Sequence, residues 1–172
     1  MASLMENLIE VLEQECSEYE GLLGLSQKKT PVIVSGNLEE LQKITDDEQR
    51  LVSRIGRLEK KRKEVIADIA NVLNKDVEGL KLDQLVDLLA ARPAEQQKLA
   101  AVHDRLRGSV RELQRVNEQN KELLSNALEV VEFEMNLLQA AKAAPETANY
   151  TKGAYNTGDT MGVMSGSFDA KQ

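Results

Sequence analysis

Few residues in this chain of 172 are of types that do chemistry. His103 is the single histidine and Cys16 the single cysteine, so a histidine-based triad or a metal centre of nitrogen and sulfur ligands has too few members. His103 stands between Val102 and Asp104-Arg105, which reads as a surface histidine beside an apolar seam. Cys16 is spaced from Leu12 and Tyr19 as a thiol at the edge of a helical core. Acidic pairs such as Asp46-Asp47 suit a solvated helix better than a cation site. The glycines between positions 153 and 166 lack the following helix and the lysine-serine pair of a phosphate loop. The run Glu59-Lys60-Lys61-Arg62-Lys63 reads as a solvated helix face rather than a dock for an acidic partner. No catalytic residue, metal ligand or cofactor is expected. An enzyme on this scaffold would have to be a helical-bundle response-regulator phosphatase, with a carboxylate and an amide acting on a partner's phosphate.

The elements that carry these residues are helices. Aromatic residues make up 3% of the chain and charged ones 30%, a balance that suits leucine and valine seams with solvated outer faces rather than a globular mixed core. A net charge of -7 argues against nucleic acid as the main partner, since a duplex repels such a surface. No apolar run approaches the ~18 residues of a spanning helix. The start, Met-Ala-Ser-Leu-Met-Glu-Asn, lacks the basic and apolar regions of a signal peptide. A cytoplasmic protein without membrane insertion is the expectation.

The fold class expected is all-α: an elongated antiparallel coiled coil or bundle of three long helices, with a short capping helix and a flexible C-terminal tail. Helices are placed at about 3–35, 38–73, 82–90 and 94–143, forming a helical domain over 1–144, with 145–172 as the tail. Pro31 bends the first helix or stops it; Val32-Ile33-Val34 favours a bend, with Ser35-Gly36-Asn37 supplying the terminal glycine and the next cap. The second helix has a seam of Leu41, Ile44, Leu51, Ile55, Leu58, Val65, Ile69 and Val72, interrupted by Glu48 and Arg62. The third has Leu99, Val102, Leu106, Leu113, Val116, Leu123, Ala127, Val130, Leu137 and Ala141, interrupted by Ser109, Asn120 and Glu134. At ~1.5 Å per residue it would be about 70 Å long, giving a rod.

Laid antiparallel by matching seams, the second and third helices set Leu58 opposite Leu113, Ile44 opposite Ala127 and Arg62 opposite Ser109. Glu48 and Asn120 then lie about one layer apart, near enough for an amide to carboxylate hydrogen bond. Glu48, Arg62 and Asn120 are the expected register-setting residues. Residues 116–138 also carry a second apolar stripe beside the seam: Leu124, Leu128, Val131, Met135 and Leu138. That stripe either packs on the first helix or receives a partner. In the tail, Tyr150, Tyr155 and Phe168 are isolated anchors of the kind a disordered segment folds onto a partner, although a plain solvated tail is the favoured reading for any one of them.

The succession Gly36-Asn37-Leu38-Glu39-Glu40-Leu41, Glu48, Arg62, the cap at 82–89, Asn117 and Asn120, Leu123-Leu124, Ala127-Leu128 and Asn136-Leu137-Leu138 resembles the FlgN family of flagellar type III export chaperones. The ending Ser167-Phe168-Asp169-Ala170-Lys171 is similar as well. The resemblance implies a cytoplasmic, non-enzymatic helical protein. It would bind the C-terminal regions of the hook-associated proteins FlgK and FlgL, prevent their premature assembly, and deliver them to the flagellar export apparatus. Leu124, Leu128, Val131, Phe133, Met135 and Leu138 are then the client-binding candidates, and Tyr150 and Tyr155 the candidates for contact with the export gate. The competing reading is a structural or oligomerising coiled coil that uses the same stripe for self-association.

Overall fold

A computed structural model describes residues 2–77 and 80–143. These contain four helices and no strand: α1 (Ala2–Ser35), α2 (Leu38–Leu73), α3 (Leu82–Leu88) and α4 (Pro93–Ala143). They fall in two compact units, Met1–Glu132 and Phe133–Gln172, the second described only for 133–143, all of it helix. The tail anchors Tyr150, Tyr155 and Phe168 lie outside the described residues.

The first unit is an all-α bundle. Helix α1 runs through Pro31 to Ser35, so the proline, which has no N–H for the Gln27 carbonyl, does not end it. Gly36 then takes φ +69°, a conformation that costs a side chain-bearing residue about 1–2 kcal/mol. Asn37 caps α2, its side-chain oxygen accepting from Glu40 N at 3.1 Å. At the far end of α2, Asn74 adopts the left-handed conformation (φ 53°) and Lys75 N donates to Ala70 O at 3.0 Å, closing the helix as glycine usually does.

The main core joins all four helices. Leu8, Leu12 and Cys16 of α1 meet Val65 and Ile69 of α2, Leu85 of α3, and Leu99 and Val102 of α4. Seven residues are too few for a helix to persist alone, so α3 depends on burying Leu85, flanked by Leu80 and Leu89. Gln96 Nε2 donates to Val86 O at 3.0 Å and ties α3 to the first turns of α4. A smaller core of Leu22, Ile55 and Leu113 lies farther along the bundle.

The seams differ from the heptad expectation in three ways. Val72 is exposed, and Leu73 packs on the core in its place, because a straight α-helix drifts by about 20° per heptad from a 3.5-residue repeat. Leu113 packs with Ile55 rather than Leu58. Arg62 approaches Glu15, whose neighbour Cys16 contacts Val102, so Arg62 is level with the Val102 turn rather than with Ser109. The register between α2 and α4 is thus displaced by one to two turns. A heptad pattern fits itself again after each shift of seven, and the polar contacts with α1 select among these alternatives.

Candidate functional site

The site follows from where α4 outlasts its neighbours. Residues of α1 meet α4 partners 85 to 94 positions later: Glu20 with Arg105, Cys16 with Val102, Thr30 with Asn120, and Ser26 with Asn117 and Asn120. The two helices therefore run parallel, and Ser35, the last residue of α1, is level with about residue 125 of α4. The chain reverses there through Gly36 into α2. Within the first unit, α4 beyond that level has no turn of α1 to pack on.

Exposure changes at the same place. Leu113, Val116 and Asn120 are buried, Leu123 and Leu124 half-buried, and every described residue from Ser125 onward is exposed. The expected seam is therefore core only as far as Leu123. Ala127, Val130, Leu137 and Ala141 are exposed, although the heptad pattern makes them core, and Ile44 is buried while Ala127 is not. In the first unit Leu128, Val130 and Val131 present large apolar side chains to solvent; in the second, Phe133, Met135, Leu137 and Leu138 do so. Their exposures run from 50% for Val131 to 67% for Phe133. Of the expected client-binding residues, Leu124 alone is half-buried. Helix α1 does not cover Leu128 or Val131.

Just before this exposed stretch the core turns polar. Asn120, 4% exposed, donates from Nδ2 to Ser26 O at 2.8 Å and accepts at Oδ1 from the Thr30 hydroxyl at 2.7 Å. Ser26 Oγ donates to Asn117 Oδ1 at 2.9 Å and lies 3.4 Å from Glu48 Oε1. Lys29 Nζ holds Glu48 Oε2 at 2.7 Å. Glu48 and Asn120 are thus satisfied by α1 and not by each other, because α1 brings a carbonyl, two hydroxyls and an ammonium between them. The Glu48 carboxylate and both asparagine carbonyl oxygens are thus engaged within the layer.

Over this layer opens a groove of about 590 Å³ between α2 and α4, with α1 as its floor. Leu22, Ser26 and Lys29 line it from α1, Glu48 and Val52 from α2, and Asn117, Lys121, Leu124, Ser125 and Leu128 from α4. Ser26, Lys29, Thr30, Lys121 and Ser125 went unnoticed as sequence features. The signal for the first three was present: they interrupt the apolar spacing of α1 between Leu25 and Ile33.

A second polar cluster lies deeper. Glu15 is 1% exposed, its Oε1 is 3.4 Å from Arg62 Nε, and neither carboxylate oxygen has a hydrogen-bond partner. Burial pushes its pKa above the ordinary glutamate value; Arg62 opposes that shift and Glu59 adds to it. Tyr19 donates to Glu59 at 3.0 Å, and burial together with that carboxylate moves the phenol up to about 12. Arg62, one of the expected register residues, therefore faces α1 as Glu48 and Asn120 do. Cys16 is fully buried rather than at the core edge, with Sγ donating to Val102 O at 3.4 Å, and burial raises its pKa. His103 is half-buried, with Nδ1 3.4 Å from Asp83 Oδ1 of α3. Among the described residues no three His, Cys, Asp or Glu side chains gather as a metal site, and no helix is long and apolar enough to cross a membrane.

Comparison with known proteins adds a family to this geometry. The chain is 26% identical over 132 residues to the uncharacterized protein YvyG of Bacillus subtilis (strain 168), an alignment that covers 76% of this chain and 78% of that one. No solved structure matches. The family model described as FlgN protein matches residues 1–157. A match over most of the chain, agreeing with the succession of residues from Gly36 to Leu138, establishes that this protein belongs to the FlgN family.

Proposed function

We propose that this protein is a cytoplasmic flagellar export chaperone that covers the C-terminal segments of hook-associated proteins of the FlgK and FlgL type and hands them to the export apparatus. Family membership supports the chaperone role in flagellar export. The observation that carries the client surface is the run of large apolar side chains standing in solvent along the end of α4. Folded chains rarely leave so many apolar residues uncovered on consecutive turns without a partner for them. An amphipathic client helix laid on Leu124, Leu128, Val131, Phe133, Met135 and Leu138 would bury its own apolar ridge and be kept from assembling too early. The unbranched Met135 adapts to ridges of differing shape, which suits a chaperone with more than one client. No catalytic step belongs to this function.

Replacing Leu128 and Met135 together by Asp tests the assignment. Both are exposed, so helicity and melting temperature are expected to stay near the parent values while client binding is lost. Unfolding of the double variant would instead identify these residues as core. A second reading is favoured by one observation: Val130 and Leu137, exposed at heptad spacing, would also suit a second copy of the chain. Sedimentation of the full chain separates the two, since a stable oligomer that dissociates in the double variant would assign the stripe to self-association.

A further inference from the structure

We infer that the groove over Ser26 reads an acidic side chain on the partner helix, so that the protein selects amphipathic helices carrying a carboxylate beside their apolar ridge. This rests on the client-binding reading above and adds the chemistry of the helix selected. Two columns of α4 side chains line the groove. Asn117, Lys121 and Ser125 follow one another at intervals of four on one side, with Leu124 and Leu128 likewise on the other. From Asn117 to Leu128 the groove follows about three turns of α4, roughly 17 Å.

The first column is rich in donors. The Asn117 carbonyl oxygen is occupied by the Ser26 hydroxyl, which leaves its NH₂ to face a ligand. Lys29 is neutralised by Glu48 at 2.7 Å, whereas Lys121 forms no ion pair among the described residues. The net local character is one uncompensated ammonium with an amide donor one turn before it and a hydroxyl one turn after. Such a set prefers an anionic acceptor to a cation or a further donor. The second column, facing Val52 of α2, takes apolar side chains. A helix seated here meets both demands only if an aspartate or glutamate flanks its apolar ridge, so a purely apolar helix of equal hydrophobicity would bind less well.

The experiment is a charge exchange on the full-length chain, read by calorimetric titration with the C-terminal segment of the hook-associated protein FlgK. Lys121 is exposed, so Lys121→Glu is expected to keep the parent's helicity. It should weaken binding by about tenfold or more at low salt, with a smaller loss at high salt. A panel of FlgK segments, each with one acidic residue changed to lysine, should contain one that binds the variant more tightly than it binds the parent. Equal affinity of parent and variant for the unmodified segment, or no rescuing segment in the panel, would overturn the inference while leaving the client reading intact. No binding of the parent to the segment would remove the client reading itself, and this inference with it.

Discussion

Glu15 shows how a single residue escapes pattern reading. Its charge hides its place: it lies seven residues from both Leu8 and Leu22 and three from Leu12, on the apolar face of α1, and unlike Glu13, Glu18 and Glu20 it is buried. What its spacing does not give is the approach of Arg62 from α2, which is a property of the assembled bundle. The pairing has a pH consequence. Because the folded-state pKa lies above the ordinary value, the native state holds a proton that the unfolded state releases. The stabilising contribution is complete below the ordinary glutamate pKa and is lost as pH rises through the folded value. Glu15→Gln should therefore raise the melting temperature at pH 7.5 and have little effect near pH 4, in paired thermal melts. A destabilisation at pH 7.5 larger than at pH 4 would mean that the Arg62 attraction outweighs burial.

At the scale of elements, most boundaries were legible because they are written in local chemistry. Gly36 and Asn37 fix the α1–α2 turn, Asn74 ends α2, and Pro93 opens α4 at the position where its missing N–H costs nothing. The register was less legible, since heptads match equally well one repeat apart, and the choice is made by Ser26, Lys29 and Thr30 of a third helix. The extent of the seam was not legible either: Val130 follows the heptad rule, but within the first unit α1 and α2 end before reaching it. The capping helix gives a direct test of element docking. Leu85 is fully buried, and truncating such a residue costs about 2–5 kcal/mol. Leu85→Ala should lower stability by that amount in urea unfolding, with the loss of α3 exposing Leu80 and Leu89. A change below about 0.5 kcal/mol, the size of ordinary surface substitutions, would show that α3 is not part of the cooperative core.

For the molecule as a whole, family membership and exposed chemistry point the same way. A chain with net charge -7 and a core drawn from all four helices leaves, among its described residues, a run of large exposed apolar side chains from Leu128 to Leu138 along the end of α4. Charge keeps such a protein from self-precipitating, while the apolar side chains supply the affinity for a client. The two roles meet at the polar layer around Asn120 within the first unit: the groove opens over it, and α4 is exposed from Ser125 onward. What the sequence alone could not decide was whether the second stripe is core, because that depends on where α1 stops relative to α4.

The most direct test is calorimetric titration of the full-length protein with FlgK and FlgL C-terminal segments at several temperatures. The account predicts Kd values of about 1 μM or tighter, accompanied by a negative heat-capacity change as apolar surface leaves water. Absence of heat with either segment, from a protein that sediments as a stable oligomer with its α4 residues already covered, would contradict it.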